Sequence, residues 1–318
     1  MIRRTRNESG PSSEVTPVIV IGEALIDIVV DREGSTEHPG GSPMNVAIGL
    51  GRLGNDVHFV TRIGNDARGA ELKHHADQSG VTFFPGSIVD EATSTATARL
   101  DEAGAARYEF DICWSLDFVD RLPPIALVHT GSIAAFVSPG ATDVRRLLAD
   151  TSESTIVTFD PNIRPSLLRS PVEERRTAED LMSLSNVVKL SDEDAQWLYP
   201  GCALSDVLDH IRSLGPALAI ITKGESGAIL ASGRAIVDLP GRSVRVADTI
   251  GAGDSFMSAV IHALLRLLRE NTSPETIRDG SALTLAALTK IGTFAIECAA
   301  LTVSRVGADP PRLADTVS

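Results

Sequence analysis

The stretch Asp248-Thr-Ile-Gly-Ala-Gly-Asp254 sets a carboxylate at each end of a glycine-rich run. After it, Phe256, Val260, Ile261, Leu264, Leu265 and Leu268 recur at helical spacing and predict a helix with one face on a core. Gly251, Ala252 and Gly253 then stand where a loop enters a helix N-terminus. Amides there lack an intrahelical partner, and the helix dipole adds positive character. Small side chains let a phosphate come close to such amides, so the run reads as an anion site. Asp254, in the first turn, has two readings. It can cap the helix. It can also take a proton from an alcohol that attacks a phosphate held at the same site, as a kinase acting on a hydroxyl requires.

Other polar residues follow strand-like runs. Asp27 is flanked by Ala24-Leu-Ile26 and Ile28-Val-Val30. A carboxylate in that setting is either an exposed strand-end group or a hydroxyl acceptor at the carboxyl edge of a parallel sheet, where open α/β folds bind ligands. Asn45 lies in the first turn of a helix predicted from Pro43 to about Gly54, just after Gly40-Gly41. Asp160-Pro-Asn-Ile-Arg164 puts a guanidinium after a strand. Arg164 is a surface residue or a bidentate ligand for phosphate or carboxylate. Ser191-Asp-Glu-Asp194 fits a helix N-cap with acidic first-turn residues. Thr222-Lys-Gly224 to Gly227 fits a tight turn.

The elements that must position these groups are legible. Val18–Ile21 is a β-branched run that predicts a buried strand ending at Gly22. Residues 93–111 alternate and predict a hairpin turning at Gly104. From Ile125 the strand–helix rhythm is regular, with strands at 125–131, 156–160, 187–190 and 217–222. Residues 228–231 and 234–239 predict an antiparallel pair, and Gly280 to Cys298 reads as helical. There is no internal repeat and no interdomain linker.

Composition bounds the rest. The chain has 318 residues, 43% hydrophobic and 22% charged, which suits one large α/β domain with an appendage. The formal charge of −13 argues against nucleic acid as a partner. Cys113, Cys202 and Cys298 are few and far apart, so neither a disulfide framework nor a zinc site is expected, and a reduced, cytoplasmic setting is. Residues 1–16 read as a disordered tail without the apolar core of a signal peptide. We read no run as long and apolar enough to span a membrane.

The glycine-rich stretch resembles the C-terminal signature of the PfkB, or ribokinase-like, carbohydrate kinases. Gly40 to Gly69 resembles the N-terminal signature of the same family, and the two occur in the family's order. The resemblance implies a three-layer α/β/α ribokinase-like domain over residues 17–318. It also implies a mainly parallel central sheet and a small β-sheet lid, from about 31–39 and 93–113. ATP and Mg²⁺ are the implied co-substrate and cofactor, with K⁺ as a possible monovalent cation. Asp254 is implied as general base and Gly251, Ala252 and Gly253 as the anion hole. Asp27, Gly41 and Asn45 are implied to hold sugar hydroxyls, and Arg164 to bind substrate. Lys189, Ser191, Thr222, Lys223, Gly224 and Gly227 are implied at the nucleotide. Ser191 and Asp194 stand where the family has Asn and Glu in its magnesium-linked Asn-x-x-Glu motif, and Glu193 competes for that role. Asp248 is implied at a monovalent cation, and a homodimer through the lid follows from the family alone.

Gly22-Glu-Ala-Leu-Ile-Asp27 with Gly40-Gly-Ser-Pro-Met-Asn45 looks closest to the fructokinase branch. A 2-keto-3-deoxygluconate kinase is the runner-up, because Arg164 could receive a carboxylate. Ribokinase and nucleoside kinase come next. A sugar-binding regulator without catalysis is the reading from another class, and the intact glycine loop with Asp254 argues against it.

Overall fold

The computed structural model describes residues 17–32, 34–100, 106–168 and 170–316. The tail at 1–16 and the hairpin turn expected at Gly104 lie outside the described residues. The chain opens with β1 (Val18–Ile21), β2 (Leu25–Val30), β3 (Ser35–Gly40) and α1 (Ser42–Arg52). Next come β4 (Val57–Val60), β5 (Ile63–Gly64), α2 (Ala67–Asp77), β6 (Val81–Phe83), β7 (Ile88–Val89), β8 (Thr95–Leu100) and β9 (Ala106–Asp111). The regular half holds β10 (Leu127–Gly131), α3 (Gly140–Ala149), β11 (Ile156–Asp160), α4 (Pro171–Ser183), β12 (Val187–Ser191), α5 (Asp192–Leu198), α6 (Leu204–Ser213) and β13 (Leu218–Thr222). β14 (Ala228–Ser232), β15 (Ile236–Leu239), α7 (Ala252–Arg269), α8 (Pro274–Arg278) and α9 (Leu285–Val303) close the chain.

The main sheet runs β15-β14-β13-β12-β11-β10-β1-β4-β6. Neighbours are parallel from β6 to β13, and the hairpin β14–β15 is antiparallel. Alternation along each strand sorts side chains between two helical layers. Val18 and Val20 join one core with α1, α2, α7 and α9. Ile19 and Ile21 join the other with α3 to α6. The result is a three-layer α/β/α domain. The second sheet, β3-β2-β8-β9, is the lid.

The lid corrects part of the sequence reading. It begins at Leu25, not near residue 31, because β2 itself belongs to it, pairing antiparallel with β3 and parallel with β8. Asp27 is therefore on the lid, not at the carboxyl edge of the main sheet. Gly22-Glu-Ala24, between β1 and β2, lets the chain leave the main sheet. Ile26 on one lid face is buried in the core with α1. The other face carries Leu25 and Ala96, which pack with Phe110 against Ile133 and Leu167.

Two further expectations change. The last long helix starts at Leu285, capped by Thr284, whose hydroxyl accepts from the Ala287 amide. Residues 280–284 are turn and loop. That helix, α9, is also long and apolar enough to cross a membrane by length and composition, contrary to the sequence reading. Leu288, Ile291, Ala295 and Cys298 are buried in the core that contains α7. The core helix of a globular protein needs such a face too.

Candidate active site

Helices α1 and α7 pack side by side and bring their N-termini together. Gly49 makes this possible: a Cβ there would collide with Ser258 Oγ of α7. At the start of α7, Gly251 is the N-cap residue in the left-handed region, with φ 74°. A side chain at Gly251 would meet Ala308 Cβ at 2.7 Å, so the closing loop and the strained backbone both demand glycine. Asp254 follows in the first turn and is buried, and its side chain makes no cap. Its oxygens accept hydrogen bonds from α1. Ser42 Oγ donates to Oδ1 at 2.6 Å, and Asn45 Nδ2 donates to Oδ2 at 2.8 Å. Of the two readings of Asp254, the capping one has no geometric support.

The amides of Ala252, Gly253 and Asp254 lie in the first turn, where helical bonding leaves them for another acceptor. Only a long contact, 3.4 Å to Thr249 O, is made by Ala252 N. A buried cation sits beside them. Lys189 Nζ is 3.1 Å from the position a Cβ on Gly253 would take. It donates to Asp160 Oδ2 at 2.8 Å, and both side chains are at most 4% exposed. Burial alone would depress the Lys189 pKa, but the charge and hydrogen bond of Asp160 together with the charges of Asp194 and Asp254 outweigh it, so the ammonium is held above its usual range. Burial pushes the Asp160 carboxyl up to about 6 against the pull of Lys189. Asp160 Oδ1 is buried with no hydrogen-bond partner.

Across the cleft, Asp27 remains accessible to solvent yet is recessed enough that burial pushes its carboxyl up to about 6. The charges of Arg164 and His38 oppose that shift, and Asp254 adds to it. His38 is the cross-strand partner of Asp27 on β3. Gly40 leaves room for the Asp27 carboxylate, which a Cβ there would strike. Gly41, φ 105°, is the N-cap residue of α1, and a Cβ on it would meet Glu23 O at 2.6 Å. Arg164 reaches back over its own loop, donating to Asn162 Oδ1 at 2.7 Å and to Ile163 O at 3.3 Å. Asn162, with φ 40°, turns its amide toward Asp254 Oδ1 at 3.5 Å.

Asp27, Asn45, Arg164, Lys189 and the glycine loop thus converge around Asp254. Three residues of this neighbourhood were not singled out from the sequence. Ser42 carries no local pattern, and Asn162 stands in the Asp160–Arg164 run, where only Arg164 is given a role. Glu23 does carry a signal, a carboxylate closing a buried strand. It is buried, its Oε2 accepts from Ala134 N at 2.9 Å, and its Oε1 has no partner. Burial pushes its carboxyl up to about 7.

The remaining candidates lie along the sheet edge. Ser191 caps α5: its Oγ accepts from Asp194 N at 2.9 Å, and Asp194 Oδ2 accepts from Ser191 N at 3.1 Å. Asp194 Oδ1 accepts from Ile163 N at 2.8 Å. Both Asp194 oxygens are thus engaged by backbone, a capping box that also pins the Arg164 loop. Glu193 is exposed. The described residues hold no cluster of three or more His, Cys, Asp or Glu suited to a metal. A nucleotide-borne Mg²⁺ needs only one or two carboxylates besides phosphate and water. Thr222 Oγ1 donates to Leu190 O at 3.4 Å, and Lys223 pairs with Asp238 at 2.6 Å. Gly224 and Gly227 both have positive φ in the turn after β13. Asp248 ties two loops, accepting from Ile250 N at 3.1 Å and from Gly307 N at 2.9 Å. These bonds hold its carboxyl below the usual range.

Comparison with known proteins points the same way. Residues 15–314 match the model of the pfkB family carbohydrate kinases. A fructokinase of Klebsiella pneumoniae is 32% identical over 258 residues, 77% of this chain and 83% of that protein. The crystal structure of a Xylella fastidiosa fructokinase with bound ATP superposes with a TM-score of 0.83 at 24% identity, covering 95% of this chain and 97% of that one. A Vibrio cholerae fructokinase variant, in its fructose-, ADP- and potassium-bound form, gives 0.76 at 25% identity, covering 94% and 95%. The chain therefore belongs to the pfkB family of carbohydrate kinases and is an ATP-dependent sugar kinase of that family.

Proposed function

We propose that the protein phosphorylates a hydroxyl of a fructose-type sugar with Asp254 as general base. The observation that carries this reading is the placement of Asp254. Its carboxylate stands in the first turn of α7, beside the Lys189 ammonium and the amides of Gly251–Gly253, with Ser42 and Asn45 holding its oxygens. Each carboxylate oxygen has a second lone pair, so a substrate hydroxyl can still bond there. As that hydroxyl attacks the γ-phosphorus, its proton passes to Asp254. The amides and Lys189 stabilise charge on the phosphoryl oxygens. Asp27 accepts sugar hydroxyls from the lid side, so closing the lid would bring acceptor and base together and exclude water. Magnesium, when bound with ATP, would shield the phosphate charge, and the exposed Glu193 on α5 would be a carboxylate available to it. Asp248 is the candidate for a monovalent cation between its two loops.

Fructose as substrate rests on the fructokinase-type signatures and on relatives bearing that name. A sugar acid is the second reading, and one observation favours it. Among the described residues Arg164 makes hydrogen bonds only to neutral oxygens, although its charge acts on Asp27 and Glu23, so its guanidinium can still take a substrate carboxylate. An ADP-release assay over fructose, other ketoses and aldoses, ribose, nucleosides and 2-keto-3-deoxygluconate separates these. Turnover only with the sugar acid would replace the fructose reading. No turnover with any acceptor would favour a binding protein.

A further inference from the structure

Ser42 has a hydroxyl that its own helix does not use. It opens α1, where serine commonly bonds to a nearby backbone amide. Here the N-cap residue is Gly41 and no side chain caps the helix. The Ser42 proton goes instead to Asp254 Oδ1, 212 residues away, at 2.6 Å in a buried setting. A hydroxyl–carboxylate bond of that length is in the range of charge-assisted bonds. Asn45, the other donor to Asp254, is one of the expected sugar ligands and could leave the base when substrate arrives. Ser42 is buried and stays with it.

We propose that Ser42 is a positioning residue for the base: its hydroxyl fixes the rotamer of Asp254, leaving a lone pair for the acceptor hydroxyl. Ser42 keeps its own proton throughout, and the substrate proton goes to Asp254. The groups that bear on Asp254 from the packed elements are Ser42 and Asn45 from α1, Asn162 from the loop after β11, Lys189 and Asp160 from β12 and β11, and Asp27 from the lid. Only Ser42 and Asn45 donate to it within 3 Å. This inference rests on Asp254 being the base.

The test compares Ser42→Ala, Ser42→Thr and Asp254→Asn with the wild type in steady-state kinetics, using the best acceptor from the sugar panel, together with thermal melting. Ser42→Ala should lower kcat by at least about tenfold, the scale of one hydrogen bond to a charged group, with sugar KM within about twofold. Ser42→Thr, which keeps the hydroxyl, should restore kcat. A Ser42→Ala kcat within about twofold of the wild type, or a fall in kcat that Ser42→Thr does not restore, overturns the proposal. A lowered melting temperature with kcat unchanged does so too and leaves Ser42 a packing residue. If Asp254→Asn keeps near-normal turnover, the base assignment fails first. If that variant is inactive while Ser42→Ala keeps its kcat, only the role of Ser42 fails.

Discussion

Replacing Asp254 by Asn isolates proton acceptance from shape. The carboxamide can keep both bonds to α1: its oxygen accepts from Asn45 Nδ2, and its NH₂ donates to Ser42 Oγ once that hydroxyl rotates. Two charge-assisted bonds become neutral ones, which costs about 1 kcal/mol each. Removing a charge near Asp27 and Asp160, both of whose carboxyls Asp254 pushes up, offsets part of that. The net stability change is then at most about 2 kcal/mol, which for a large domain is a melting shift of a few degrees. Turnover should suffer far more. General-base catalysis contributes roughly 10²–10⁴-fold, equivalent to about 2.7–5.4 kcal/mol of barrier. The assay is ADP release under saturating sugar and ATP, with ligand binding and melting measured on the same preparation. A folded Asp254→Asn variant that binds both ligands and turns over at near the wild-type rate would refute the mechanism.

Asp27→Ala should raise sugar KM by at least about tenfold, the scale of one charge-assisted bond, and leave ATP affinity unchanged; equal weakening of both ligands would remove Asp27 from the sugar site. Because sugar binding uses the charged form of a carboxyl raised to about 6, kcat/KM should fall as pH drops through about 6, and a profile flat from pH 7 to 5 contradicts this. Lys189→Met should destabilise by about 3–5 kcal/mol, since it strands the buried Asp160. Adding Asp160→Asn should recover the melting temperature but not the activity, and recovery of both would clear Lys189 of any role at the phosphate. Burial pushes His262 down to about 4, beside Asn55 at 3.1 Å. A group with its folded pKa depressed resists protonation, so its contribution is present above about 6.5 and lost as pH falls toward 4. His262→Gln should therefore lose less stability than the wild type between pH 6.5 and 4 in urea melts, and identical slopes would refute it.

The sequence by itself determined the layers and their chemistry. The continuous β-branched run Val18–Ile21, helical spacing after Asp254 and the repeated strand–helix rhythm are local consequences of burial, so they survive in one dimension. The helix bounded by Pro43 and Gly54 was legible for the same reason: Pro43 sits in its first turn, and Gly54 follows the C-cap residue with φ 81°. What the tertiary structure alone decided is which side chains meet. Asp27 carries the same strand pattern in the main sheet or in the lid, because period-two alternation reports burial and not the identity of the neighbouring strand. Asp194 reads in the sequence equally as a capping or a metal-linked carboxylate, and only the fold lays the Arg164 loop against it, so that its oxygens accept from Ile163 N and Ser191 N. Ser42 and Asp254 have no pattern linking them across 212 residues. Their contact exists because Gly49 lets α1 lie close on α7, so that two helix N-termini open onto one cleft. Packing of that kind depends on shapes brought together from distant parts of the chain, which no local spacing encodes.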